Sequence, residues 1–165
     1  MRGLLIGLVL SMTAGFAFAE SEETRATPSV KIINFTADWC PNCQILNPRI
    51  DEVIARFDRG QVKRIDLDLT KASRRAPQPE RMKAFAGAIQ RAEAHQASYL
   101  WDWYAGVTGI AVLISADNGE PISCVNRIMS VDDMEERLVQ AILLAENGTP
   151  GKRKPDGPDC PAPMR

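Results

Sequence analysis

Two cysteines three positions apart, Cys40 and Cys43, are the residues of this chain best placed to do chemistry. Exchange between thiols and disulfides needs one sulfur deprotonated near neutral pH and a second close enough to resolve the mixed disulfide. A Cys-x-x-Cys pair that opens a helix meets both needs. The first sulfur sits beside the unpaired N–H groups and the positive end of the helix dipole, which stabilise its thiolate. Cys40 is therefore the candidate nucleophile and Cys43 the resolving thiol, one turn further on. Pro41 and Asn42 are expected to tune the couple, and Trp39 to flank it. Two blander readings compete: an inert structural bridge, and half of a metal site. A bridge closing so short a loop is strained and belongs with the labile ones. A four-cysteine zinc site needs a second close pair, which the spacing lacks, so no metal is expected.

The elements around the pair must place it between a strand and a helix. Val30-Lys31-Ile32-Ile33-Asn34-Phe35 is mainly apolar and rich in β-branched residues, the pattern of a buried strand. Thr36 to Trp39 then forms a turn. From Pro41, a residue suited to a helix's first turn, Ile45, Leu46, Ile50, Val53, Ile54 and Phe57 recur at helical spacing before Gly60. Val62 to Leu69 alternates as a second strand, and a connection this short between two strands implies a parallel pair. Thr70 to Pro79 is polar and proline-containing; Glu80 to Tyr104 predicts one long helix or two shorter ones. Ile110 to Ile114 is an apolar strand, Asp117-Asn118-Gly119 a hairpin turn, and Ile122 to Ile128 the returning antiparallel strand. Ser130-Val131-Asp132-Asp133 has the form of a capping box, opening a last helix with Met134, Leu138, Ile142 and Leu143 on one side. From Asn147 onward glycine, proline and lysine predict a loose tail, with Lys152-Arg153-Lys154 a solvated charge run.

The amino-terminal residues carry an address. Arg2 precedes an apolar stretch from Gly3 to Phe18, and Ala17-Phe18-Ala19 is the small-residue pattern of a cleavage site. Residues 1–19 are expected to be a signal peptide, followed by a flexible leader over 20–29. Ser11, Thr13 and two glycines interrupt the stretch, which is shorter than the roughly 20 residues of a comfortable span, so no stable membrane span is expected after cleavage. A periplasmic or secreted location follows. A formal net charge of −1 gives no electrostatic argument for nucleic acid, and no basic face stands out in the linear sequence.

The segment Asn34-Phe35-Thr36-Ala37-Asp38-Trp39-Cys40-Pro41-Asn42-Cys43 resembles the active-site segment of thioredoxins. Pro48 falls where that family places a helix-kinking proline, and Gly109-Ile110 and the hairpin around Asn118-Gly119-Glu120 resemble its second half. The resemblance implies an α/β thioredoxin fold over residues 30–146, a central mixed sheet flanked by helices, with 70–105 an extended helical insertion. It also implies an enzyme, a thiol–disulfide oxidoreductase without cofactor. By analogy with exported members it would reduce or oxidise disulfides of envelope proteins, exchanging electrons with a partner dithiol protein. Two departures bear on this. Where the family has a cis-proline facing the dithiol, this chain has Ala111, so a trans bond is expected, with Ile110 and Ala111 lining a reshaped, more open substrate groove. Asn34 stands where thioredoxins bury an aspartate that assists proton transfer; an amide cannot titrate, so water or another group must serve. The rival class is a non-catalytic binding module, or a metal or assembly chaperone using the same cysteines, which the more open groove would favour.

The remaining reactive residues have less to say. Cys124 and Cys160 either form a second bridge tying down the tail, or are a buried apolar residue and a free thiol. His95, the single histidine, is expected at the surface of a helix. Leu100, Trp101, Trp103 and Tyr104 either dock the insertion on the core or form a partner-binding ledge.

Overall fold

A computed structural model describes residues 27–58, 60–104, 106–153 and 160–162. The expected signal peptide, most of the leader and parts of the tail (154–159 and 163–165) lie outside the described residues.

Four strands form one sheet in the order β2-β1-β3-β4: β1 (Val30–Thr36), β2 (Val62–Asp68), β3 (Ile110–Ser115) and β4 (Pro121–Asn126). β1 pairs in parallel with β2, from Val30 opposite Val62 to Thr36 opposite Asp68. On its other side it pairs antiparallel with β3, and β3 with β4. A strand with neighbours on both edges and helices on both faces can expose almost nothing, which explains the near-complete burial of β1 and β3, polar Asn34 and Ser115 included.

The helices divide between the two faces. α1 (Pro41–Ile54) and α4 (Val131–Asn147) lie on one, where Leu46, Ile50 and Val53 meet Val30, Ile32, Leu113, Met134 and Leu138. On the other, α2 (Gln78–Ala94) and α3 (Ser98–Tyr104) place Ala88, Ala92, Leu100 and Tyr104 against Phe35, Ile65 and Leu67. Each fully buried Val, Leu, Ile, Met or Phe among them contributes about 1.5–3 kcal/mol by leaving water. This mixed sheet with helices on both faces is a thioredoxin fold.

Local chemistry sets the boundaries. Ser130 Oγ accepts the Asp133 N–H (3.1 Å) while Asp133 accepts the Ser130 N–H (2.9 Å), closing the expected capping box at the start of α4. α1 stops at Ile54 rather than running to Phe57, because Ala55, Arg56 and Phe57 turn back through N–H bonds to Asp51, Val53 and Ile54. Leu143 and Ile45, counted among the apolar stripes, are exposed; fully buried Ala141 sits beside Ile142 in the α4 contact. The segment from Glu80 to Tyr104 is two helices. They separate at Gln96, whose φ of 61° is a left-handed conformation that breaks helical continuity.

The tail departs further from its expected looseness. Arg153, expected in a solvated charge run, is 4% exposed: Nη1 donates to Asp117 (2.7 Å) and Nε to the Gly148 carbonyl (3.2 Å). The Arg153 and Gly151 N–H groups donate to Glu120. Cys160 is bonded to Cys124 of β4, and the Tyr104 hydroxyl donates to the Pro161 carbonyl (2.8 Å).

Candidate active site

The dithiol stands where β1 ends and α1 begins. Cys40 is the N-cap residue of α1, with extended backbone, and Pro41 occupies the first turn. A cap residue normally offers an oxygen to the unpaired N–H groups of the first turn. Here the acceptor is sulfur: the Cys43 N–H donates to Cys40 Sγ at 3.1 Å. The same helix end that needs an acceptor therefore supplies the field that favours a thiolate at Cys40. Cys43 is bonded to Cys40, their Cα atoms 5.2 Å apart, and its sulfur lies 3.8 Å from the Phe35 carbonyl oxygen.

Both sulfurs are sheltered. Cys40 is 3% exposed and Cys43 1%, whereas Pro41 and Asn42 are exposed and Trp39 is 48% exposed. Trp39 precedes the pair and does not pack in the core. Its indole N–H donates to the Thr70 carbonyl (2.9 Å), and the Asp38 N–H donates to Thr70 Oγ1 (3.0 Å). Thr70 is fixed in turn by Asp68, which accepts from its N–H and hydroxyl. The loop before Cys40 is thus fastened to the turn that follows β2.

The groove expected at Ile110 and Ala111 is not there. Ala111 lies inside β3, opposite Asn34 on one side and Val125 on the other, and is completely buried in the core shared with α1 and α4. Ile110 is buried in the other core, together with both dithiol cysteines. No cis peptide occurs among the described residues. The residue of this loop that meets the dithiol turn is Gly109. Its N–H donates to the Phe35 carbonyl (2.9 Å), its φ is 82°, and a Cβ there would fall 2.5 Å from the Asn42 Cβ. The glycine was visible in Gly109-Ile110, but nothing in one sequence told which residue of that loop makes the close approach.

Asn34 is fully buried under α1. Its amide donates to Asn47 Oδ1 (3.0 Å) and Asp66 Oδ1 (2.7 Å), and Asn47 donates on to Thr36 Oγ1 (2.9 Å). Arg64 holds Asp66 and Asp51, each at 2.7 Å. An amide can donate twice here where a carboxylate could only repel Asp66. Asn34 Oδ1 has no hydrogen-bond partner among the described residues.

The other candidates lie apart from the dithiol. His95 is half-buried at the end of α2, its pKa lowered first by burial and then by Lys31, Lys63 and Arg91. Lys31 marks the end of β1 opposite the dithiol. The aromatic cluster docks the insertion: Tyr104 meets Phe35 edge-on at 6.2 Å, Trp101 meets Phe85 at 5.8 Å and Trp103 meets Tyr99 at 5.0 Å. Cys124 and Cys160 form the second bridge that the sequence left as one of two alternatives.

Residues 17–85 match the thioredoxin family model. Two Arabidopsis thaliana proteins are similar over short stretches. Thioredoxin H8 is 35% identical over 43 residues, which are 26% of this chain and 29% of that protein. Thioredoxin H7 is 28% identical over 47 residues, 28% of this chain and 36% of that protein. The chain thus spans about a third of the length of these curated relatives. Among solved structures, StoA from Bacillus subtilis superposes with a TM-score of 0.43 and 14% identity, covering 67% of this chain and 83% of that one. The family match contains the dithiol and ends within α2; beyond it, the thioredoxin fold is carried by the strand order and the placement of α4.

Proposed function

Starting from a thioredoxin fold with a cysteine pair at the amino end of α1, we propose that this chain is a thiol–disulfide oxidoreductase of the cell envelope. The observation that carries the reading is the capping of α1 by Cys40 Sγ, because it ties the acidity of that thiol to the helix itself. In the reducing direction the Cys40 thiolate attacks one sulfur of a substrate disulfide. A bond forms from Cys40 to that sulfur as the substrate S–S bond breaks, and the departing thiolate takes a proton from solvent. Cys43, as thiolate, then attacks Cys40 Sγ, closing the intramolecular bridge and releasing the second substrate thiol. Two electrons pass to the substrate, and a partner dithiol protein restores the pair. The oxidising direction is the same sequence reversed.

The envelope assignment rests on the apolar stretch ending in Ala17-Phe18-Ala19. No helix among the described residues is long and apolar enough to cross a membrane. An open groove at Ala111 would favour a dithiol acting only as a ligand, and the burial of that residue takes this argument away.

Insulin reduction by dithiothreitol tests the proposal. The wild-type chain is expected to accelerate it and Cys40→Ser to abolish the acceleration, while pre-reduced Cys43→Ser, mixed with insulin after the dithiothreitol is removed, is expected to accumulate a mixed disulfide through Cys40. No acceleration by wild type and no trapped adduct would refute it. Equilibration of the couple with glutathione assigns the physiological direction, and amino-terminal sequencing of the exported protein tests cleavage after Ala19.

A further inference from the structure

Beside the dithiol, the insertion builds a cleft that a minimal thioredoxin fold does not need. It has a volume of about 780 Å³ and lies between Trp39 and the start of the insertion. Leu69, Ala72 and Phe85 give it an apolar wall, and Arg74 and Arg75 stand in its lining. Both arginines are exposed; among the described residues no acidic side chain lines the cleft, and neither guanidinium has an ion-pair or hydrogen-bond partner. The surrounding segment shares the bias: from Lys71 to Lys83, five basic residues accompany a single acid, Glu80, in a chain whose net charge is −1. A neighbouring cleft of about 750 Å³ offers a contrast. It holds Asp66, Asp68 and Glu80 with Lys71, Lys83 and Arg91, so its charges balance internally.

We propose that the Trp39 cleft selects the substrate: it holds an extended segment of a disulfide-bearing protein that carries an apolar side chain and carboxylates next to the reacting cysteine. The inference deepens the oxidoreductase reading and rests on it. Two exposed guanidinium groups beside an apolar wall are complementary to a carboxylate that follows an apolar residue, and their planar donors suit carboxylate geometry. Position supplies the link to chemistry. Trp39 precedes Cys40 in the chain and is held to Thr70 at the root of the insertion, so a segment lying on its ring lies beside the dithiol. Apolar contact provides sequence-tolerant affinity, and the arginines provide the preference.

Binding decides the matter without redox turnover. The probe is the cysteine-free peptide acetyl-Leu-Ser-Glu-Glu-amide, with glutamine and lysine versions as comparisons, followed through the Trp39 indole N–H resonance. The glutamate peptide is expected to bind about tenfold tighter than the glutamine peptide at low salt, with the preference fading as salt is raised. Arg74→Glu/Arg75→Glu is expected to reverse the order, so that the lysine peptide binds best; a reversed order also shows the variant to be folded. Equal binding of the three peptides, or a preference untouched by the reversal, would overturn the inference. Turnover of the uncharged hydroxyethyl disulfide by the wild-type chain is measured in parallel. It reports on the dithiol alone, so a failed cleft and a failed oxidoreductase give different results.

Discussion

Replacing Cys160 with alanine cuts the covalent tie between the tail and β4, and the cost follows from the length of chain that the tie closes. Cys124 and Cys160 are 36 residues apart. In the chain-entropy account, joining residues at that separation removes roughly 13 cal/mol/K from the unfolded ensemble, or about 4 kcal/mol near room temperature. For a domain of this size a kilocalorie moves the melting temperature by roughly 4 °C, so Cys160→Ala should melt about 15 °C below wild type. The alanine leaves Cys124 in place, 2% exposed within β4, so the core loses little packing. Two signatures separate lost constraint from lost contact. The guanidinium m-value should rise, because the freed unfolded chain exposes more surface, and the far-ultraviolet circular dichroism of the native state should not change. Cys124→Ala should cost more, since it removes the same tie and a buried sulfur as well. The comparison is made on oxidised protein by thermal and denaturant unfolding. A shift below about 3 °C for Cys160→Ala would refute the reasoning, because a constraint on this loop length cannot be worth so little.

Three other predictions concern single sites. Asn34→Asp restores the carboxyl of the thioredoxin pattern but places it in hydrogen-bonding range of Asp66, in full burial. Burial and the like charge both raise its pKa, so the penalty is absent below the unfolded value near 4 and grows with pH. Urea midpoints should diverge from wild type to about 3 kcal/mol by roughly pH 8, and parallel midpoints would contradict the expectation. Gly109→Ala should cost about 2 kcal/mol, combining a left-handed backbone with the 2.5 Å approach to the Asn42 Cβ; adding Asn42→Gly should recover the steric part only, as judged by denaturant unfolding. The Arg153 guanidinium, helped by Ser115 and the Asn118 N–H, holds the Asp117 carboxyl at a pKa of about 2. A depressed acid stabilises the fold above its unfolded pKa near 4 and loses that contribution as pH falls through about 2. Carboxyl chemical shifts of Asp117 should therefore titrate well below those of an exposed aspartate, and an ordinary midpoint would exclude the pair.

The succession of strands and helices along the chain, the burial of β1 and β3, the dithiol at a helix start and the α4 capping box were legible because each is a local pattern with one physical solution. Alternation, an N-terminal proline and a Ser-x-x-Asp spacing act over a few residues and need no tertiary partner. Ala111 was misplaced because a positional correspondence located it without its strand pairing: once β3 begins at Ile110, the next residue must face the opposite core. Leu143 shows the same limit within a helix, where the buried stripe of α4 is one residue narrower than its apolar spacing suggests. Arg153 was hidden for another reason. Its burial depends on Asp117 and Glu120, more than thirty residues away around the hairpin, and a basic run near a proline-rich end carries no mark of such partners. The Trp39 cleft has no mark in the sequence because its walls come from the residue after β2, the turn that follows and α2, which only the folded insertion brings together.

β1 has a sheet neighbour along each edge, and the rungs run on beyond the ends of both neighbours, where the Leu69 N–H donates to the Thr36 carbonyl and the Gly109 N–H to the Phe35 carbonyl. The reactive loop is therefore rooted in the part of the molecule that can open only when everything opens. Sulfur partners can change, and the first turn of α1 can loosen and re-form, while the anvil beneath them stays still. Under the proposed function, each cycle would then begin from the same geometry, with no folding step between one substrate and the next.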